Sequence, residues 1–124
     1  MSDAGRYAVV FKMEGLGEAK GELIRIRAPL TAENIWRAIP IAGVASVWRN
    51  AEVYFPAGIK RGLEKATRKI EKGDIAYWPL GDAICVFHER VEPYSDVNVI
   101  GRITEGLALF SRVKLGTTLT LDRA

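Results

Sequence analysis

The only cysteine and the only histidine of the 124-residue chain, Cys85 and His88, lie three positions apart and raise the question of a thiolate–imidazole pair. Such a nucleophile needs an exposed, electropositive setting and a base within hydrogen-bond reach. The stretch "AICVFH" is instead typical of a strand, in which residues three apart point to opposite faces. Cys85 also stands between Ile84 and Val86, and apolar surroundings raise a thiol pKa. We therefore expect no catalytic dyad and a surface position for His88, whose near-neutral pKa leaves a role as a base open.

Other reactive constellations are missing from the sequence. One cysteine and one histidine cannot build a zinc site, and no pair of carboxylates has a ligand-like spacing, so we predict neither a metal nor a cofactor. The segment "GLGEAKG" lacks the Gly-Lys-Ser/Thr ending of a phosphate loop. A lone cysteine permits no internal disulfide, which fits the cytoplasm. No apolar run approaches the roughly 20 residues that a membrane span requires.

The net charge of +3 is mildly basic, and six of the 18 Lys and Arg residues fall within residues 60–72. That run, "KRGLEKATRKIEK", also contains Glu64 and Glu71 and has no aromatic side chain on which a base could stack. The pattern favours a solvated helix face. Nucleic-acid binding through this run is the weaker alternative.

The length fits a single domain, and eight stretches joined by short turns have the composition of strands. The first two should form a hairpin across Gly15 and Gly17. The eight stretches are "RYAVVFKME", "GELIRIRAP", "ASVWRN", "AEVYFPAG", "DIAYW", "AICVFH", "VNVIGRI" and "TTLTLD".

Helices are predicted at one or two places. Thr31 can cap the segment "AENIWRAI", which Pro40 ends. One face of that helix collects Ala32, Ile35, Trp36 and Ile39. A second short helix over residues 61–70 is indicated by apolar spacing, with a twisted strand as the alternative, and "LALFSRVKLG" fits either helix or strand. The whole pattern predicts a mainly β protein: a closed β-barrel of about eight strands with one or two capping helices.

Three stretches resemble cyclophilins, the peptidyl-prolyl isomerases, and occur in cyclophilin order: "APLTAENIWRAI", "GDIAYWPLGDAICVF" and "VIGRITEGL". A narrower resemblance links "APLTAENIWRAIPI", "AEVYFPAG", "GDIAYWPLGDAICVF" and "SDVNVIGRI" to a family of short prokaryotic cyclophilin-like proteins whose function is largely uncharacterised. Leu80 and Asp96 depart from that family, which generally has proline there. The resemblance implies a compact cyclophilin-like β-barrel and no particular reaction.

The residues with which cyclophilins isomerise proline are not matched. Those enzymes use an arginine that hydrogen-bonds the prolyl peptide beside an apolar pocket, and the corresponding segment here, "AEVYFPAG", contains no arginine. The positions of the pocket histidine, the pocket tryptophan and the aromatic floor are held by Val97, by Glu92 or Pro93, and by Ala83. Efficient isomerase activity is therefore not expected, because fold is a weak warrant for function. A divergent isomerase that uses Arg49 or Arg102 is the alternative.

The same framework could instead line a binding cleft. Glu52 and Tyr54 alternate on one strand face, as do Ala76 and Trp78 on another. The predicted ligand-binding residues are Glu52, Tyr54, Trp78, Phe87, Asn98 and Arg102. Such a cleft suits a small polar-aromatic or peptide-like ligand. The competing interpretation is a structural ion pair with satisfied core polar groups. We predict a cytoplasmic binding module for a small molecule or a peptide, and exposed aromatic residues leave a homodimer open.

Overall fold

The computed structural model describes residues 5–124, and these contain nine strands, one α-helix and one 3-10 helix. The strands are β1 (Arg6–Met13), β2 (Gly17–Ile24), β3 (Ile41–Val44), β4 (Ser46–Trp48), β5 (Glu52–Pro56), β6 (Asp74–Trp78), β7 (Ala83–Phe87), β8 (Asn98–Glu105) and β9 (Thr118–Arg123). The helix α1 spans Pro29–Ala38, and the 3-10 helix spans Leu107–Arg112. None of the described helices is long and apolar enough to cross a membrane.

All strand pairs are antiparallel and form one sheet that curls into a nearly closed barrel. The strand order is β3-β9-β1-β2-β8-β6-β7-β5-β4. The two edge strands, β3 and β4, are consecutive in the chain and separated only by Ala45, so the ends of the sheet meet at this corner. The predicted mainly β, cyclophilin-like barrel is therefore confirmed, with β3 as a strand that the sequence pattern did not reveal.

Alternate residues of β5, β6 and β7 belong to two different apolar clusters, one on each face of the sheet. The inward residues of these strands join the barrel core: Val53, Phe55, Ile75, Tyr77, Ile84 and Val86. The outward residues join a smaller group, which we call the outer cluster: Ile70, Ala76, Cys85, Phe87, Val97 and Val99. In the barrel core the ring of Phe11 stands edge-on to Phe55 and Phe110, with centroid distances of 6.4 and 5.5 Å. Two faces of one sheet are thus both buried.

The predicted hairpin between the first two strands is confirmed, with a shift in its second strand. Arg6 pairs with Ile24 and Met13 pairs with Gly17, and Gly15 turns the chain with a φ of 78°. Positive φ is the conformation that glycine adopts without steric penalty. The second strand begins at Gly17 rather than at Gly21, because the ladder of hydrogen bonds runs down to the turn.

The helix predicted over residues 61–70 is wrong. Residues 57–73, which we call the β5–β6 connection, contain no helix and only one isolated bridge, between Thr67 and Val97. That bridge has N···O distances of 2.9 and 3.0 Å. The connection stays irregular because several of its backbone groups bind distant side chains instead of neighbouring turns. Residues 107–112, left undecided between helix and strand, form the 3-10 helix.

The N-terminus of α1 is held by a carboxylate from the β5–β6 connection. The helix begins at Pro29, which has no N–H, so Leu30 and Thr31 carry the first free amides. Glu64 accepts these two amides at 3.0 and 2.8 Å, together with the Thr31 hydroxyl at 2.7 Å. A carboxylate is stabilised there by the helix dipole. The predicted capping role of Thr31 is therefore wrong, because its hydroxyl donates to Glu64 and makes no cap hydrogen bond.

Asn98 completes this network from the first position of β8. Its side chain is fully buried. The Nδ2 group donates to Thr31 Oγ1 at 3.1 Å and to the Gly62 carbonyl at 3.0 Å, while Oδ1 accepts the Glu64 amide at 2.9 Å. One amide group therefore joins α1, the β5–β6 connection and β8. Loss of this group would leave the buried Thr31 hydroxyl and two part-buried backbone groups without these partners, which is more costly where a group has no access to water.

We expect Asn98→Ala to lower the free energy of unfolding by roughly 2–4 kcal/mol, since the buried Thr31 hydroxyl and two part-buried backbone groups lose their hydrogen bonds. Chemical denaturation measures the change. Ser111→Ala, which removes one exposed hydrogen bond to the Ala108 carbonyl, is the control and should change stability by less than about 0.5 kcal/mol. Equal effects of the two substitutions would show that Asn98 does not hold these elements together.

Candidate functional site

A cavity of about 190 Å³ opens on the outer face of the sheet, beside the outer cluster. It is lined by Trp48, Glu52, Tyr54, Trp78, Pro93, Tyr94, Ser95 and Val97, and we call it the aromatic cavity. Strands β4, β5 and β6 supply its walls. Residues 93–97, which end at the residue that pairs with Thr67, supply its rim.

The β4–β5 pairing places the first wall. Trp48 lies directly opposite Glu52 in the ladder, and Ser46 lies opposite Tyr54. Glu52 and Tyr54 are two residues apart on β5 and so share the outward face, while Val53 between them points into the barrel core. A tryptophan, a carboxylate and a tyrosine are therefore presented together by backbone pairing alone.

Trp78 is the central wall of the aromatic cavity. Its ring stands edge-on between Tyr54 and Tyr94, with centroid distances of 5.7 and 6.1 Å and interplanar angles of 83° and 76°. Its indole N–H donates to Ser95 Oγ at 2.6 Å. Edge-to-face pairs of this kind stabilise aromatic groups beyond their burial. Tyr94, at 66% exposure, forms the outer lip.

The position of Trp78 depends on Gly81 in the turn that follows β6. A Cβ atom at Gly81 would lie 2.3 Å from the Trp78 ring, which no side chain could accommodate without moving the indole. The glycine therefore lets the ring approach the turn backbone closely. This close approach gives the Trp-Pro-Leu-Gly stretch a direct role in shaping the cavity wall.

The same turn anchors the start of the β5–β6 connection through Asp82. Its Oδ1 accepts the Tyr77 hydroxyl at 2.6 Å and the amides of Ile59 and Lys60 at 3.1 and 2.9 Å. The Tyr77 oxygen in turn accepts the Arg61 amide at 3.1 Å. Burial, helped by the bond to Asp82, raises the pKa of Tyr77 to about 12, so this hydroxyl is a stable donor at neutral pH.

Glu52 is the unusual group of the aromatic cavity. It is only 6% exposed, and among the described residues no N–H or O–H donor and no cation reaches its carboxylate. Burial raises the pKa of the Glu52 carboxyl, and the Cys85 thiol on β7 acts more weakly in the opposite direction. Buried carboxylates are normally paired, because an unpaired charge away from water is unfavourable. The Glu52 carboxylate therefore faces the cavity, where water or a ligand can reach it, with no described cation beside it.

The structure brings three of the six sequence-predicted site residues together: Glu52, Tyr54 and Trp78 all line the aromatic cavity. Phe87 lies opposite Glu52 in the β5–β7 ladder, but it is buried within the outer cluster behind the cavity. Whether these residues bind a ligand stays a prediction.

The other two predicted residues lie elsewhere. Asn98 belongs to the hydrogen-bond network with Thr31 and Glu64, on the other face of the sheet from the cavity. Arg102 is 62% exposed in its side chain, and its Nε lies 3.5 Å from the Glu22 carboxylate. The structure therefore supports, for these two, the interpretation that they are structural polar groups.

Sequence reasoning missed the rim of the aromatic cavity and one of its walls. Trp48, Tyr94 and Ser95 line it but were not predicted. Trp48 was assigned correctly to a strand, and pairing that strand with the next would have placed it opposite Glu52. Tyr94 and Ser95 lie in an irregular loop without periodicity, so the sequence contains no comparable signal for them.

Cys85 and His88 do not meet. Cys85 belongs to the outer cluster, and its burial, with Glu52 nearby, raises the pKa of its thiol well above the usual value. His88 lines a separate depression with Lys72 and Leu107. The predicted surface position of His88 is wrong: it is 7% exposed, its Nδ1 has no partner within residues 5–124, and burial lowers its pKa. Across those residues no group of three or more potential ligands is placed to hold a metal ion.

Comparison with known proteins identifies relatives of the same fold. A family model described as Cyclophilin-like matches residues 8–122. The solution structure of the hypothetical protein AF2241 from Archaeoglobus fulgidus superposes with a TM-score of 0.80 at 32% identity, covering 97% of this chain and 96% of that chain. The structure of McbB in complex with tryptophan gives a TM-score of 0.79 at 14% identity, covering 93% of this chain and 44% of McbB, and this likeness shows the fold alone. None of the curated proteins compared matches the chain.

We expect Gly81→Ala to displace the Trp78 indole and to lower the free energy of unfolding by about 1–3 kcal/mol, because the new methyl group overlaps the ring. The shift of the indole N–H resonance and the near-ultraviolet circular dichroism report the displacement. Gly62→Ala is the matched control, since its Cβ would meet nothing within 4 Å and its φ is not positive. An unmoved indole resonance in Gly81→Ala would show that the glycine does not set the ring position.

The raised pKa of Glu52 gives a pH-dependent stability. The folded protein holds this proton more tightly than the unfolded chain, whose glutamate pKa lies near 4.5. The contribution of the group to stability is therefore fully present below that pH and is lost as the pH rises through the folded pKa. We expect Glu52→Gln to raise the melting temperature at pH 7 and to lose that advantage at pH 4.

Thermal unfolding of wild type and variant across this pH range measures the effect. The difference between the two proteins is compared, because Asp74, whose pKa is also raised by burial, titrates in both. Glu14→Gln, on an exposed glutamate, is the control for the removal of one carboxylate charge. A Glu52→Gln difference that follows the same pH profile as the Glu14→Gln difference would contradict the assignment.

Proposed function

This chain belongs to the cyclophilin-like family, and we propose that it is a binding module whose aromatic cavity holds a small molecule or one side chain of a peptide. The observation that carries this proposal is an aromatic cavity that contains a largely buried carboxylate with no cation and no N–H or O–H donor beside it among the described residues. Apolar walls with a few placed polar groups are the usual composition of ligand sites. A purely structural carboxylate would instead be expected to have a donor or a cation beside it.

The size of the aromatic cavity limits what it can hold. Its volume of about 190 Å³ is below the roughly 300–1,000 Å³ of pockets that enclose drug-sized ligands. It suits a fragment-sized molecule or a single side chain, with the remainder of a peptide lying outside. Tyr94 on the exposed lip would be the first group that such a ligand meets.

The positions of the arginines argue against the usual isomerase mechanism. Prolyl isomerisation is promoted by donors aimed at the twisting amide within a desolvated site. Within the described part of the chain no arginine lines the aromatic cavity, and Arg102 lies beside Glu22 instead. A binding role needs no such donor, and this is why we prefer it.

The second candidate, a divergent prolyl isomerase, has one observation in its favour. The guanidinium of Arg49 lies 4.7 Å from the ring centroid of Trp48, which is a wall of the aromatic cavity. For either role we propose a cytoplasmic location, since the single cysteine suits a reducing compartment.

Nuclear magnetic resonance with a mixed fragment set tests the binding module. We expect weak, saturable shifts confined to the Trp78 indole and to Tyr54 and Tyr94, and at least a tenfold loss of affinity in Tyr94→Ala, which removes an exposed lip and should not disturb the barrel. Trp36→Ala is the control, because Trp36 is a half-buried tryptophan stacked on Tyr7 outside the cavity. Failure of every fragment to shift these resonances would overturn the proposal.

The isomerase is tested separately, by exchange spectroscopy on a proline-containing peptide at high protein concentration. We expect no acceleration of cis–trans exchange. Acceleration that is abolished by Arg49→Ala would replace the binding module with the second candidate.

A further inference from the structure

We infer that the aromatic cavity selects a protonated alkylamine, with the Glu52 carboxylate as its counter-ion and the rings of Tyr54, Trp78 and Tyr94 as its walls. This inference rests on the proposed function and deepens it by naming the chemical class of the ligand. It follows from three properties of the site, which concern charge, hydrogen bonding and ring geometry.

The charge of the site excludes anions and favours cations. Glu52 is the only carboxylate among the lining residues, and no described cation lies within ion-pair distance of it. An anionic ligand would be repelled, and a neutral ligand would leave the buried charge uncompensated. A cation placed at Glu52 stabilises the ionised form through a short-range attraction that is strong in a water-poor site.

The group that the site lacks is a hydrogen-bond donor for the Glu52 carboxylate. The Glu52 carboxylate only accepts, and Ser95 Oγ already accepts the Trp78 indole N–H at 2.6 Å. An ammonium group brings three donors on a compact centre, so it can bond Glu52 and still have donors for neighbouring oxygens. A bond between a charged donor and a carboxylate is about twice as strong as one between neutral groups.

The rings supply the surfaces that cations prefer. Tyr54, Trp78 and Tyr94 line the cavity with neighbouring ring planes nearly perpendicular, and each edge-on contact covers at most one face of one ring. The face of an aromatic ring attracts a cation, and the attraction reaches about 2 kcal/mol when the cation is desolvated. The methylene groups of an alkylamine would at the same time contact the apolar parts of these rings.

One wall of the cavity already holds a cation of the protein itself. The Arg49 guanidinium lies over Trp48 at 4.7 Å, yet it makes no ion pair with Glu52 three residues away. Trp48 is therefore occupied on the face that Arg49 covers, whereas Tyr54, Trp78 and Tyr94 have no such partner among residues 5–124. The charge of Glu52 is thus available to a ligand rather than satisfied from within.

Titration of the full chain with three compounds of matched size tests the inference. The probes are n-butylammonium, the neutral n-butanol and the anionic butyrate, followed by shifts of the Trp78 indole and of the Tyr94 ring. We expect n-butylammonium to bind at least tenfold more tightly than either of the others. Glu52→Gln should abolish that preference, while Glu14→Gln, on an exposed glutamate, should preserve it.

The outcomes separate this inference from the proposed function. If n-butanol or butyrate binds the same residues as tightly as n-butylammonium, or if the preference survives in Glu52→Gln, the inference is overturned and the binding module stands. If none of the three compounds shifts these resonances and the fragment set also fails, both are overturned.

A further pair of probes identifies the source of the amine. A short peptide with one central lysine is compared with the same peptide carrying acetyl-lysine, which has no charge. Tighter binding of the lysine peptide than of n-butylammonium indicates that the ligand is a lysine side chain. Weaker binding indicates a free small amine. A preference for acetyl-lysine over lysine would overturn the inference.

Discussion

The buried side-chain amide of Asn98 holds together the part of the molecule on which the site depends. It bonds the helix α1 through Thr31, and it bonds the β5–β6 connection through the Gly62 carbonyl and the Glu64 amide. Glu64, once placed in this way, supplies the carboxylate that satisfies the first free amides of α1. The β5–β6 connection, which has no regular structure, is thereby held in place, because side chains bind the backbone groups that a strand or helix would otherwise pair.

The hydrogen bonds of Asn98 also help to position the rim of the aromatic cavity. Asn98 follows Val97, which pairs with Thr67 of the β5–β6 connection, and the segment that leads into Val97 contains Ser95. The Ser95 hydroxyl receives the indole N–H of Trp78. The cavity is therefore built by strands on one side and by a hydrogen-bonded loop on the other. Glu52 is the exception, since no cation among residues 5–124 lies beside its carboxylate although burial disfavours its charge.

The sequence predicted the parts of the fold that depend on short-range periodicity. The alternation of inward and outward residues on β5 and β6, the apolar face of α1 and the resemblance carried by the Tyr-Trp-Pro-Leu-Gly stretch all agree with the structure. Glu52, Tyr54 and Trp78 could be grouped for that reason.

Features that depend on long-range partners could not be predicted in this way. The spacing of Leu63, Ala66, Thr67 and Ile70 resembles a helical face, but Asn98 lies 36 residues from Gly62 and competes for that backbone. On β8 the register shifts where β6 passes from Ile75 to Ala76, so simple alternation does not tell which face Arg102 occupies. Gly101 lies at this irregularity, and a Cβ atom there would come within 2.0 Å of the Glu22 carbonyl oxygen.

The interleaving of the two apolar clusters along β5, β6 and β7 has a consequence for how this protein can diverge. The even-numbered positions 52 and 54 of β5 line the aromatic cavity, and the odd-numbered positions 53 and 55 pack in the barrel core. Glu52 and Tyr54 can therefore be exchanged for other residues while Val53 and Phe55 keep the core filled. Insertion or deletion of one residue within the strand would exchange the two sets and turn a carboxylate toward the barrel interior. Among homologues, the residues that line the cavity should therefore change by point substitution, while the lengths of these strands stay constant.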